Sequence, residues 1–392
     1  MVTQFYYPER FSTTNIAEGL AKLGHEVTVL TGKPNYGYGY ILDEYKKVKY
    51  EEHNNVKIHR VKLHARKRSR LSIIFNYLSF YRSSKRHVRK LDKDFDVVLS
   101  VCLSPIISCA AACKYSKKYH VPHIHYSEDL WPESLLITNA VRKSSILFKI
   151  LHKWSRSIYK NTDDIIVSSP SFKDYFINEL NIKDKSFKCI NQPVIKSSGE
   201  TVKPITYKNK HNFVYAGNIS RPQMIDELID AFKLVKNNDV KLYLIGMGQL
   251  SKHVEQRILA EKISDIVEYV GPLPIEKAEA YFVNADALIV SLKNKGYCGK
   301  TIPNKAVQSM KSGKPILGII SGDGKELLKK AKGSIFANEN PAEIAQVIDD
   351  MCKFNKQKMD ELGLNNKAYF DANLSSDKIC YLFSEVLKES IK

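Results

Sequence analysis

Short apolar runs rich in β-branched residues alternate with helical patterns along the whole chain, and that alternation dictates parallel sheets assembled from β-α-β units. A first series of such runs covers residues 2–7, 25–31, 56–61, 96–103, 123–126 and 164–169. A second covers residues 212–217, 240–246, 266–271, 287–292, 315–320 and 334–337. Between them lies a polar segment, 196–210, with a Ser-Ser-Gly triplet, Pro204 and several lysines, which reads as a linker. At 392 residues the chain is long enough for each series to bury its own core. The expected organisation is an α/β fold of two doubly wound domains, 1–195 and 196–374, with a helix at 375–392 packing back on the first. The first strand begins at Met1, whereas a strand usually has about five or six residues. A start a few residues late is expected to weaken the first domain.

The formal charge of +19 favours an anionic partner, and its placement narrows the choice. Ten Lys or Arg residues and no Asp or Glu fall between Lys62 and Lys90. They flank the aromatic, apolar stretch 71–81, where Leu71, Ile74, Phe75, Leu78 and Tyr81 or Arg82 share a stripe if the stretch is helical. Two readings fit. One is an interfacial helix docking on an anionic membrane surface through Arg66, Lys67, Arg68, Arg70 and Phe75; the other is a core-facing helix with solvated basic ends. Nucleic acid is not an expected partner, because no stacking platform or recognised motif accompanies the charge. No apolar run approaches the roughly 18 to 20 residues needed to span a bilayer, and the first residues lack a signal-peptide pattern. A cytoplasmic chain, peripheral at the inner face of the cell membrane, is expected. The seven cysteines show no C-x-x-C pair and are expected as free thiols, with Cys109 and Cys113 packing as small apolar side chains. His120, His123 and His125 lack a third ligand at metal spacing and read as structural, so neither a metal nor a cofactor is expected.

Ligands of open α/β sheets bind outside the carboxyl ends of the strands, which directs attention to the loops there. After the run 212–217, Gly217 permits close backbone approach, Asn218 follows, and Arg221 is placed to clamp a diphosphate through its planar fork, unless it is an ordinary surface arginine. Gly246-Met-Gly248 forms a tight turn. At Gly271-Pro-Leu273, strand-end amides are placed to read a nucleotide base edge while Leu273 packs on its face; a plain turn fits equally. The richest loop runs from Ser291 through Gly296, Gly299, Lys300 and Thr301 to Pro303-Asn304-Lys305, then a helix through Gln308. Pro303 suits a first helical turn, and the exposed amides beyond it, with Lys305, make an anion site for two phosphates. Residues 294–301 nearly spell a phosphate-binding Walker loop, but Asn294 stands where its first glycine belongs and Pro303 interrupts the helix. In the first half, Glu128-Asp129-Leu-Trp-Pro-Glu133 sets two carboxylates at a strand end. They are candidates for general base or for stabilising a cationic sugar, and capping of the next helix is the alternative.

At these residues the chain resembles the retaining GT-B glycosyltransferases of family 4, and within them the branch of O-antigen and colanic-acid transferases that includes fucosamine transferases. The marks are Gly24 to Gly32 with Pro34-Asn-Tyr36, Asp129-Leu-Trp-Pro-Glu133, Tyr215-Ala-Gly-Asn218 with Gln223, and Ile302-Pro-Asn-Lys305 running to Gly313-Lys-Pro315. The resemblance implies two Rossmann-like domains facing across a cleft and a UDP- or GDP-sugar held as substrate mainly by the second. It also implies an acceptor, often a lipid-linked oligosaccharide, held by the first, and transfer with retained configuration. Capsule or O-antigen biosynthesis is the implied setting. Where many members carry two glutamates eight positions apart, Lys300 and Gln308 stand here; Gln308 keeps the capacity to hydrogen-bond a ribose. Those two departures make a catalytically weak sugar-nucleotide-binding assembly partner the alternative function, with a sugar-nucleotide epimerase third.

Overall fold

The computed structural model describes every residue except 68, 104, 138–140, 195–201 and 392. The chain divides into two compact units, Met1–Ile195 with Ser376–Lys392, and Lys196–Ser375.

In the first unit, β1 (Val27–Gly32), β2 (Tyr50–His53) and β3 (Val56–Val61) pair in the order β1-β3-β2, while β4 (Val98–Cys102), β5 (His123–Ser127), β6 (Asp164–Val167) and β7 (Ser186–Cys189) pair in sequence order. Val2 joins the two groups by parallel bridges to Leu30 and Ser100. The strand expected over 2–7 is therefore corrected to a bridge. Val2 N donates to Leu99 O at 2.8 Å and accepts on its carbonyl from Val101 N at 3.0 Å, Thr3 N donates to Leu30 O at 3.2 Å, and Gly32 N to Gln4 O at 3.2 Å is the last such bond before the cis Tyr7–Pro8 bond. β2 and β7 lie outside the runs read from the sequence. β2 runs antiparallel to β3 through Asn54 and Asn55, whose φ values of 48° and 61° suit a tight hairpin turn, so this sheet is not wholly parallel.

Every position of β4 and β5 is buried because helices cover the sheet on its faces. Among them are α1 (Ser12–Lys22), α2 (Arg70–His87), α3 (Ala110–Tyr119) and α4 (Ile146–Tyr159). The C-terminal helix, Ser376–Glu389, belongs to the same layer. Its Ile379, Phe383 and Leu387 share an apolar cluster with Ile16, Ala17 and Leu20 of α1, and burial stabilises by about 1.5–3 kcal/mol for each large side chain. All seven cysteines are free thiols, Cys109 buried and Cys113 partly so. A cavity of about 1020 Å³, lined by Met1, Val27, Leu30, Val98 and Leu99 among others, opens at the amino ends of these strands. That is the edge opposite to the one where sheets of this kind bind ligands.

α2 is inside out. Its buried positions are Ser72, Asn76, Phe80 and Ser84, whereas Leu71, Ile74 and Phe75 are exposed by 69%, 51% and 56%. The core-facing alternative for the stripe is thereby overturned at these three residues. The polar face is affordable because it is fully bonded: Asn76 accepts from Gln4 Nε2 at 2.6 Å and donates to Asn35 Oδ1 at 3.0 Å and His64 O at 2.6 Å. Asn35, itself buried, also takes Arg66 N on Oδ1 and gives its own N–H to Glu9 Oε1. The Pro-Asn-Tyr motif after β1 is thus the polar tie between that loop and α2.

The second unit holds one parallel sheet of six strands: β8 (His211–Ala216), β9 (Val240–Ile245), β10 (Val267–Gly271), β11 (Ala287–Ser291), β12 (Ile316–Ile319) and β13 (Ser334–Phe336). Their spatial order is β10-β9-β8-β11-β12-β13. The direction of winding reverses between β8 and β11, which makes that crevice the topological switch point. Helices α5 (Ile225–Leu234), α6 (Ile275–Val283), α7 (Asn304–Lys311) and α8 (Gly322–Ala331) are among the connections.

Replacing Asn76 by leucine should leave the Gln4 amide, Asn35 Oδ1 and the His64 carbonyl each short of a partner, at about 1–3 kcal/mol per group. Leu71→Ala, on the outward face, should change stability by less than about 0.5 kcal/mol. Urea denaturation of the two variants checks the contrast.

Candidate active site

In the second unit the loops that end β8, β9, β10 and β11 meet at the switch point. Backbone contact there is close: Gly246 has φ +132°, and a Cβ on it would stand 1.8 Å from the Gly217 carbonyl oxygen, so only glycine fits. Ile219 N donates to Met247 O at 3.1 Å and Gly246 N to Gly271 O at 2.9 Å, joining three loops into one surface. Asn218 is part of it, its carbonyl accepting from Tyr215 Oη at 2.9 Å.

Lys305, in the first turn of α7, reaches into this crevice. Its ammonium donates to Tyr215 Oη at 3.0 Å on β8, to Ser291 O at 2.9 Å on β11, and to Gln223 Oε1, and it stands 4.5 Å above the Tyr215 ring. Ser291 Oγ in turn donates to Gln223 O at 2.6 Å. One lysine therefore clasps the two strands that flank the switch point. Burial lowers its pKa to about 7, and the same burial raises that of Tyr215. The anion contact expected of the ammonium is replaced by three protein oxygens, and its charge acts on the crevice from behind.

The start of α7 is open. Pro303 precedes it without a side-chain cap, and Asn304 Oδ1 is buried without a hydrogen-bond partner. Thr301 Oγ1 donates to Tyr297 O at 2.9 Å, which fixes the approach. Gly299 is held from the other side: Gly322, with φ +56°, lies so close that a Cβ would meet the Gly299 carbonyl at 2.5 Å, and Ser321 Oγ donates to that oxygen at 3.0 Å. Uncapped amides with the helix dipole behind them attract an anion. Arg221 is exposed in the short turn Arg221–Gln223, and Leu273 is half-buried against an apolar cluster that includes Val214 and Tyr243. Gln308 faces a carboxylate that the sequence reading missed. Glu279 of α6 lies 3.5 Å from its Nε2 and 3.1 Å from Lys311 Nζ. Lys300 is exposed, its ammonium 5.5 Å from the Tyr297 ring.

In the first unit, Glu128 and Asp129 follow β5. Glu128 is 6% exposed; Ser12 Oγ at the start of α1 donates to its Oε1, and its Oε2 has no partner. Asp129, less buried, accepts from Leu130 N at 2.9 Å and so caps the turn before the cis Trp131–Pro132 bond. Burial raises both acids, Glu128 to about 7 and Asp129 to about 6, and Glu133 close by to about 7. Carboxyls tuned to neutrality exchange protons readily, which is what acid–base work requires. Behind them the buried His123 and His125 share Ser100 Oγ at 2.7 and 2.9 Å.

Of the membrane-docking set, Lys67, Arg70 and Phe75 are exposed. Arg66 lies between the rings of Tyr36 and Tyr77, 4.8 and 5.4 Å from their centroids, and donates to Tyr77 Oη at 2.6 Å, so it serves the fold. Arg68 lies outside the described residues. No helix among the described residues is long and apolar enough to cross a membrane.

Two family models match the chain in tandem, Glycosyltransferase Family 4 over residues 11–194 and Glycosyl transferases group 1 over residues 210–353. Between them the two models account for most of the chain, which is similar to the glycosyltransferases they describe. A curated relative, the probable glycosyltransferase WbjE of Pseudomonas aeruginosa, is 26% identical over 236 residues, which are 57% of this chain and 58% of WbjE. Among solved structures, sucrose-phosphate synthase of Thermosynechococcus elongatus superposes with a TM-score of 0.71 at 15% identity, covering 96% of this chain and 92% of that one. HepE of Anabaena, solved with UDP, gives 0.67 at 12% identity over 96% and 95% of the two chains. These likenesses establish the GT-B fold.

Because burial raises the folded-state pKa of Glu128 above its ordinary value of 4.5, the stability this group contributes is full below about pH 4.5 and is lost as pH rises through about 7. Glu128→Gln should therefore match the parent near pH 4.5 and exceed it by about 1–3 kcal/mol at pH 7.5. Urea melts across that range check it; a difference independent of pH would contradict the assignment.

Proposed function

We propose that this protein is a retaining glycosyltransferase that moves a sugar from a UDP- or GDP-sugar to a lipid-linked glycan acceptor in surface polysaccharide biosynthesis, working in the cytoplasm at the inner face of the membrane. The observation that carries the reading is the switch-point crevice of the second unit, where the Lys305 clasp, the glycine loops after β8 and β9 and the open start of α7 converge. A nucleoside diphosphate suits it. Gly271 and Leu273 take the base, Gln308, beside Glu279, takes the ribose, and Arg221 with the amides of Thr301 to Lys305 takes the two phosphates. HepE, with the same fold, is solved with UDP, which supports a uridine donor.

In the reaction the bond between the sugar's anomeric carbon and the phosphate oxygen breaks, and the acceptor hydroxyl oxygen bonds to that carbon on the same face. The departing electron pair stays on the diphosphate, where the helix amides and the Lys305 charge stabilise it. Asp129, the less buried of the two residues, takes the acceptor's proton, and Glu128 keeps the loop in place through Ser12. The alternative of a catalytically weak sugar-nucleotide-binding assembly partner is favoured by one observation, the absence of a carboxylate at Lys300 and Gln308.

Incubation with UDP- and GDP-sugars and undecaprenyl-diphosphate-linked acceptors should release nucleotide and yield a product of retained anomeric configuration. Binding without turnover supports the alternative, and neither binding nor turnover contradicts both. Lys305→Met should weaken UDP binding at least about tenfold by titration calorimetry, since the crevice loses the bonds that tie β8 to β11 and the cation beside the helix start.

A further inference from the structure

The exposed apolar stripe of α2 has a counterpart on α4. Ile146, Leu147 and Ile150 are exposed by 77%, 54% and 57%, while Phe148, Ser155, Ile158 and Tyr159 face the core. Three large aliphatic side chains in the first turns of one helix are more than the scattered exposure usual on a soluble surface. The two helices meet: the Tyr81 ring of α2 stands edge-on to Trp154 of α4 with centroids 5.7 Å apart. On α2, Leu71, Ile74, Leu78 and Tyr81 follow one helical stripe; on α4, Leu147, Ile150 or Leu151, and Trp154 follow another. The stripes converge at the Tyr81–Trp154 contact.

Charge decides what covers this face. No Asp or Glu occurs between Asn54 and Leu91 or between Ser134 and Thr162, the stretches that contain the two helices. Around the apolar residues stand exposed cations, Arg70, Arg82 and Arg86 on α2 and Lys149 and Lys153 on α4. An apolar centre rimmed by cations of one sign matches an anionic bilayer, whose acyl boundary takes the apolar groups while its headgroups meet the rim. A polar protein surface would leave the centre unmatched. α2 shows the same preference from within, since three of its four buried positions are polar, Ser72, Asn76 and Ser84, while Leu71, Ile74 and Phe75 face outward.

We infer that α2 and α4 form one composite docking surface for an anionic bilayer, with α4 supplying half of the inserted apolar groups. This rests on the membrane reading given above for α2 and adds to it a second helix and an insertion mechanism. Charge brings the surface to the bilayer, and the aliphatic side chains of both helices hold it there.

The test uses the full-length protein with vesicles of phosphatidylcholine alone or with added phosphatidylglycerol. Three forms are compared by sedimentation: the parent, the α4 triple variant Ile146→Asn, Leu147→Asn and Ile150→Asn, and the α2 triple variant Leu71→Asn, Ile74→Asn and Phe75→Asn. All six positions are exposed, and circular dichroism melts check that the fold persists. The parent should bind the anionic vesicles and scarcely the neutral ones, and each triple variant should lose roughly tenfold or more in partitioning. Trp154, beside the contact, should shift its emission to the blue on binding, Trp131 being buried already. If the α4 variant binds like the parent while the α2 variant does not, the composite surface is wrong and the α2 reading stands. If the parent ignores anionic vesicles, both fail. If the parent self-associates and the α4 variant does not, with vesicle binding unchanged, the α4 face is a protein interface and the inference is overturned.

Discussion

The parallel β-ladder is the constraint on which everything else in this protein depends. Parallel neighbours can be joined only by crossovers, so every strand of the second unit hands its carboxyl end to a loop on the same edge of the sheet. Reversal of the winding between β8 and β11 parts two of those loops and leaves a crevice between them. The protein fills the back of that crevice with a lysine instead of an apolar side chain. A buried ammonium is costly unless it is bonded, and Lys305 meets the requirement with one oxygen from β8, one from β11 and one from Gln223 between them. The same bonds that stabilise the crevice place positive charge behind the open helix start.

The first unit uses the carboxyl edge differently. It collects carboxyls after β5, raised by burial toward neutrality, where the second unit collects amides and cations. Its outer helices carry a third kind of surface, apolar centres with basic rims. The anionic donor, the acceptor hydroxyl and the bilayer of the proposed reaction would each meet a matching chemistry in one chain. The polar interior of α2 ties two of these together, since Asn76 and Asn35 connect that helix to the loop after β1 and to Glu9.

Much of the fold was legible because most of the buried strands are apolar runs. β4, β8, β9 and β11 are almost wholly buried and read so, whereas β5, His-Ile-His-Tyr-Ser, is equally buried and keeps its polar positions by bonding His123 and His125 to Ser100. What escaped were the edges. β2 reads Tyr-Glu-Glu-His and β7 Ser-Phe-Lys-Cys, half-exposed strands without an apolar signature. The run 2–7 looked like a strand by composition, yet only its first residues have a neighbour on each side. On α2 the periodicity identified a stripe but not its direction, because a period of 3.6 is the same whether the stripe faces core or solvent. The partners that invert the helix, Gln4, Asn35 and His64, are 72, 41 and 12 residues away in sequence.

The site loops stood out through their glycines and the proline before α7, since close backbone approach and an open helix start leave traces in residue type. The wiring of Lys305 did not, because Tyr215 and Gln223 lie 90 and 82 residues from it. In the proposed reaction the donor nucleotide occupies the switch-point crevice. Hydrogen–deuterium exchange of the whole protein with and without UDP measures that directly. Slowed exchange of the amides at 216–224, 271–275 and 299–306, with those of the loop at 128–134 unchanged, is the predicted result; protection confined to the first unit would contradict it.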